Sequence, residues 1–300
     1  MIEIEDLLKD VDYQSVTGSR TRVIANVLPL HSIEHSESSI TWVSESNLEK
    51  LMNVRLGAVV CPVGTSPIHS DVTYIMVQNP RLVFSNIQKI LFPNKRKEMI
   101  SSSAHLAKNI HVGMGVCIEH NVVIEEDCII GDNTYIGANT VIRSSTKIGK
   151  NVTIGCNCSI GNLGFGYELN EQGVHERIKH TGNVVIGDYV EIGNNTCIDR
   201  AVLGSTQIAE YCKIDNLVHI AHGVHIGRNS IVIANSMIAG SVVLGENVWV
   251  APSVSVLNKL TVADHAYIGM GAVIIRNVES GDMLVGNPGR VIKKASTPKS

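Results

Sequence analysis

Three histidines crowd one short stretch of the chain, KIDNLVHIAHGVHIG (213–227): His219, His222 and His225. Imidazole changes charge close to neutral pH, so such a stretch is a natural place for proton transfer. A second pair, His175 and His180, has the HxxxxH spacing of a metal half-site. No third histidine follows it at a convincing spacing, and no metal is expected. The seven cysteines run from Cys61 to Cys212. An odd number so spread makes no disulfide framework, and Cys156 and Cys158 stand too close together for a zinc knuckle. Reduced thiols fit best.

What must position these residues is a repeat. Aliphatic side chains recur at every sixth position: Leu106, Val112, Ile118, Ile124, Ile130, Ile136, Ile142, Ile148, Ile154 and Ile160. The register resumes at Ile186, Ile192 and Ile198, then runs from Ile208 through Ile274. At three hexads to a triangular turn this makes about eight coils of a parallel β-helix. The residue after the aliphatic one is often Gly, which suits a corner of unusual φ/ψ. The residue two before it is small or β-branched, and both classes face inward. Cys128, Cys158 and Cys212 fill that small inward slot and read as core filler. Aromatic residues make up only 4% of the chain, in keeping with a core too narrow for rings.

In this register His222 falls two residues after Ile220 and faces outward, as do His219 and His225. Gly240 lies one coil further on and stacks beside His222 without a side chain to block approach. The repeat has breaks. Residues 162–179, NLGFGYELNEQGVHERIK, leave it for about one coil's length, and four extra residues separate Ile198 from Ile208. Loops that leave a rigid scaffold tend to carry binding residues. Residues 1–100 lack the hexad and read as a small α/β domain, with a helix over Ile4–Leu8 and strands at 39–43, 57–61 and 72–77. A second helix is expected over 82–91, after Asn79-Pro80. The β-helix is assigned to 101–276. Residues 277–300 are read as a polar, frayed tail ending in KKASTPKS.

The formal net charge of −3 lacks the basic excess used against a phosphate backbone, so no nucleic-acid partner is expected. No apolar run reaches the ~18 residues of a membrane span, and MIEIEDLLKD is acidic where a signal peptide is basic. These features read as cytoplasmic.

Three joined segments resemble the UDP-3-O-acylglucosamine N-acyltransferases of lipid A biosynthesis. They are GFGYELNEQGVHERIKHTG (164–182), VVIGDYVEIGNNTCIDRAVLG (184–204) and KIDNLVHIAHGVHIG (213–227). SITWVSES (39–46) and VQNPRLVFSNIQKIL (77–91) are similar to that family's uridine-binding domain, and the resemblance runs to about residue 265. It implies a left-handed helix, an exception to the usual right-handed crossover. It implies His222 as general base, Asp215 as the carboxylate that orients it, and Gly240 as the backbone N–H donor to an oxyanion. It also places Trp42 on the uracil, with Phe165 and His180 in a substrate-facing loop. The outward register of His219 and His225, by itself, suits the lining of a groove between subunits, with His219 taken as a substrate contact.

Lys259 stands where the family commonly has a further histidine, and Leu48 where an aromatic lies beside the base. Residues 269–293 are instead similar to the ending of acetyl-CoA-dependent sugar acetyltransferases. There Arg290 and Lys293, with Lys259, would meet the phosphates of CoA. The reading is an N-acyltransferase acting on a UDP- or dTDP-linked amino sugar, with acyl-CoA (acetyl-CoA foremost) or acyl carrier protein as donor, working as a homotrimer. A CoA-dependent sugar O-acetyltransferase and a non-catalytic binding solenoid are the alternatives.

Overall fold

The computed structural model describes residues 1–30, 36–53, 56–93 and 98–294. The chain divides into two compact units, Met1–Lys95 and Arg96–Ser300.

The first unit is built on a five-stranded sheet in the order Ser15–Thr17, Thr73–Val77, Leu56–Pro62, Ser36–Trp42, Asn26–Val27. Only the Ser15–Thr17 edge is antiparallel. The central strands are apolar on both faces. Ala58, Val60 and Ile75 point to one core, Val59, Cys61 and Tyr74 to another, as the two-residue period of a doubly covered sheet requires. The helix Pro80–Leu91 covers the first face with Val83, Phe84 and Ile87. Asn79 caps it, its Oδ1 accepting from the Leu82 N–H at 3.1 Å, and Pro80 opens the first turn. The expected helix at Ile4 is α only over Ile4–Leu7 and tightens to a 3₁₀ turn through Asp10.

The second unit is a left-handed parallel β-helix with three faces of eleven, nine and eight strands. Where the coils are regular, residue i pairs with i+18: Ile118 with Ile136, Ile124 with Ile142, Ile130 with Ile148. The stacked aliphatic residues form one continuous buried core. Small inward residues do a second job. Thr134, Thr140 and Ser230 donate their hydroxyls to the carbonyls of Gly149, Gly155 and Gly245, closing corner groups that the ladders leave open. Cys128 and Cys212 donate their thiols in the same way to Arg143 and Gly227. Burial pushes the Cys212 thiol up to about 11, so it serves as filler with a weak donor.

The corner geometry differs from the sequence expectation. The left-handed residue is the third after the aliphatic one, usually Asn: Asn121, Asn133, Asn139, Asn151, Asn229 and others have φ near +60°. The glycine directly after the aliphatic residue answers a steric demand instead. A Cβ on Gly131 would lie 2.5 Å from the Gly149 carbonyl carbon in the next coil. That neighbour is backbone and cannot rotate away. Gly131→Ala is therefore expected to cost about 1–3 kcal/mol, read as a lowered melting temperature.

The solenoid is also longer than the hexads indicate. It starts at Met99–Ile100, which pairs with Cys117–Ile118. It continues past Ile274, where Asp282–Val285 adds a parallel strand and Arg290–Lys294 folds back antiparallel as an edge. The tail expected from 277 is thus a capping hairpin as far as 294, and residues 295–300 lie outside the described residues. The expected loop at 162–179 is an antiparallel hairpin, Tyr167–Leu169 with His175–Arg177. It replaces no coil, because Ile148 pairs directly with Ile186. Among the described residues no helix is long and apolar enough to cross a membrane.

Candidate active site

Both insertions leave the helix at the same corner, between the nine-stranded and eight-stranded faces. The first follows Ile160. The second, Ala201–Gly204, follows Ile198, so that Ile198 pairs with Ile220, four residues beyond a regular coil. The second receives the first. Thr181 N–H donates to Val202 O at 2.9 Å and Asn183 N–H to Gly204 O at 3.0 Å as the hairpin returns. Arg200 braces its root from the coil above, donating from Nε to Gly161 O at 2.6 Å and from Nη2 to Ser144 O at 2.9 Å.

His222 sits on this corner one coil above Arg200, half-buried. Two glycines flank its ring. A Cβ on Gly240 would lie 2.7 Å from Cε1 and 2.8 Å from Nε2, and one on Gly164 would lie 2.9 Å from Cβ and 3.0 Å from Cδ2. The imidazole therefore packs directly against both glycines, with no room for a side chain at either. The coil stacking that sets this is direct, with Ser241 N–H donating to His222 O at 2.9 Å. The Gly240 N–H makes no hydrogen bond among the described residues. At other corners the equivalent N–H is capped by a side chain, as Ser144 is by Glu125 and Ala234 by Asp215. A free N–H beside an imidazole can meet a carbonyl oxygen as it becomes an oxyanion.

His180 stands edge-on to His222, ring centroids 5.4 Å apart at 81°. It is 4% exposed. His219 faces outward one residue before Ile220, and its Nε2 lies 3.7 Å from the carboxylate of Asp199. Asp199 was not singled out from the sequence. It is buried beneath Ala221, at a position where most coils place Gly or Ala, and that mismatch was the available signal. Burial raises its pKa above the ordinary carboxylate range, and His219 and then His180 pull it partly back. The pKa of His222 is lowered, first by burial and then by the neighbouring His180 and His219. A base kept neutral in this way is competent around pH 7.

Asp215 is not brought to His222. It stands one corner earlier on the same coil, where Oδ1 accepts from the N–H and Nδ2 of Asn216, and Oδ2 from Ala234 N–H. Within the chain its carboxylate is absorbed in capping backbone, as Glu125 is at another corner. Lys259 is exposed one coil above Gly240, its N–H donating to Gly240 O at 2.9 Å. Arg290 and Lys293 lie on the capping hairpin, away from this corner. Phe165 is 84% exposed at the start of the hairpin, its ring 4.9 Å from that of Tyr167. In the first unit, Trp42 lines a concavity of about 550 Å³ with Val27, Thr41, Asn47, Phe84 and Gln88. Leu48 packs instead on the core of the opposite face. Among the described residues no group of three or more His, Cys, Asp or Glu is disposed to hold a metal ion.

Residues 127–162 and 205–240 match the family model described as bacterial transferase hexapeptide (six repeats). The coils carry the transferase repeat. The chain is similar to the UDP-3-O-acylglucosamine N-acyltransferase of Campylobacter lari, 41% identical over 128 residues, covering 43% of this chain and 40% of that protein. The Wolinella succinogenes protein of the same name is 43% identical over 128 residues, with the same coverage. The chain thus spans about 40% of the length of the curated relatives it matches. Among solved structures it is similar in fold to the UDP-N-acetylglucosamine acyltransferase of Campylobacter jejuni, with TM-score 0.59 and 24% identity over 64% of this chain and 73% of that one. The Francisella novicida enzyme of that name gives 0.57 and 26%, over 62% and 66%.

Proposed function

We propose that this protein transfers an acyl group from a thioester to the amino group of a nucleotide-linked amino sugar, on the path to lipid A or another surface glycan. The observation that carries the reading is the half-buried, charge-depressed His222 set against the free N–H of Gly240. The acceptor nitrogen attacks the thioester carbonyl carbon, forming the C–N bond. His222 takes a proton from that nitrogen while Gly240 N–H holds the carbonyl oxygen as it gains charge. Collapse breaks the C–S bond, the proton passes to the departing sulfur, and amide and thiol result. His219, His180 and Phe165 line the acceptor side. Asp215, on a different corner, serves His222 only if a neighbouring subunit presents it, which a cytoplasmic homotrimer would allow.

Trp42 is the base-stacking residue of the first unit. Stacking a base on an aromatic ring is worth ~1–3 kcal/mol, so Trp42→Ala is expected to raise KM for the nucleotide sugar about tenfold or more with kcat little changed. The similarity of residues 269–293 to acetyl-CoA-dependent enzymes favours a CoA donor, held by Arg290, Lys293 and Lys259. The test is thiol release with UDP- and dTDP-amino sugars, offering acetyl-CoA, 3-hydroxyacyl-CoA and 3-hydroxyacyl carrier protein in parallel. Turnover with a short acyl-CoA supports the reading with a CoA donor. Turnover only with the carrier-protein thioester keeps the reading and removes the donor role of Arg290 and Lys293. Thiol release with no pair would overturn it.

A further inference from the structure

Beside His222 lie two hydrogen-bond acceptors that the reaction so far leaves unused. The first is Nε2 of His180. Its Nδ1 lies 2.8 Å from Ile178 O, and a carbonyl can only accept, so Nδ1 carries the proton and Nε2 holds a lone pair. That Nε2 is buried and has no partner. It lies against Gly164, close to His222: an added Cβ there would lie 3.0 Å from His180 Nε2 and 3.0 Å from His222 Cδ2. Buried polar atoms left unpaired are few in folded proteins and destabilise them, so this one calls for a group that arrives from outside.

The second is the Asp199 carboxylate, buried one coil below His222. Its nearest partner is His219 Nε2 at 3.7 Å, beyond hydrogen-bond reach, while its own backbone carbonyl is occupied by the Thr206 hydroxyl at 2.7 Å. Arg200, the adjacent cation, is turned away into Gly161 O and Ser144 O. Apart from the His219 ring, the described groups on this side of His222 are acceptors. A hydroxyl brings one hydrogen, which the base needs. An amine brings at least two.

We propose that His180 Nε2 and the Asp199 carboxylate form a positioning subsite for the acceptor's amino group, and that this subsite sets the preference for an amine over a hydroxyl. In the neutral amine one N–H is directed to His222 and the second is shared by these two acceptors, leaving the lone pair to face the thioester. The inference rests on the acyltransferase reading and adds two positioning residues to it.

The test is calorimetric binding of the nucleotide amino sugar and of its hydroxyl isostere, without acyl donor, to wild type, Asp199→Ala, His180→Phe and His180→Gln. Melting curves identify any variant that fails to fold, and the remaining ones decide the matter. Wild type is expected to favour the amine, and Asp199→Ala and His180→Phe each to lose about tenfold in affinity for the amine. Affinity for the hydroxyl sugar should stay within about twofold, and His180→Gln, which keeps an acceptor, should recover most of the loss. Equal losses for both sugars, or no loss for either, would overturn the proposal while leaving the acyltransferase reading standing. Wild type that binds neither sugar would overturn both.

Discussion

His222→Ala is expected to lower kcat/KM by about 10²–10⁴-fold while leaving the melting temperature close to wild type. The ring projects from a corner whose core neighbours are Ile220 and Val224, so its removal opens no cavity in the stacked interior. The pH profile provides an independent check. A general base works in its neutral form, and burial with the facing His180 and His219 lowers the pKa of His222. Wild-type kcat/KM should therefore hold level through neutrality and fall on the acid side below the ordinary imidazole value of about 6.5. His222→Ala should lose that limb. A limb that persists unchanged in the variant would assign it to another group.

The second large effect is expected from a single methyl group. Gly240→Ala puts a Cβ 2.7 Å from Cε1 and 2.8 Å from Nε2 of His222. These atoms are the far end of a rotatable side chain, so the fold can accommodate the methyl by turning the ring. The base then leaves its working position, and a displacement of about 1 Å is enough to cost ~10²-fold in rate. Steady-state kinetics beside a melting curve separates the outcomes. A large fall in kcat with an unchanged melting temperature is the expected pair. A normal kcat would show that the His222 ring need not lie against Gly240.

The contrast between Gly240 and Gly131 shows what the sequence could reveal. Both are glycines on the hexad grid, and the six-residue period located them and made the fold plain from Leu106 onward. The period does not say what a Cβ would meet. At Gly131 it is backbone and at Gly240 the candidate base, a distinction that needs coordinates. His222, Gly240 and His219 were legible because the period gives direction and stacking along one corner. His180 was reachable only by resemblance, since an excursion of the chain carries it back to that corner. Asp215 shows the limit in the other direction. Its proximity in sequence to His222 is real, but a β-helix turns a corner between them, and its oxygens are taken by Asn216 and Ala234. Asp199, more distant in sequence, is delivered to the site by the ladder that pairs Ile198 with Ile220.

N-acylation is the central claim, and the linkage formed in the product tests it most directly. The nucleotide sugar recovered from a turnover reaction would be examined by tandem mass spectrometry before and after mild alkaline hydroxylamine treatment. The account predicts an acyl group retained through the treatment and located on the sugar nitrogen. Acyl mass lost to hydroxylamine would identify an ester and contradict it.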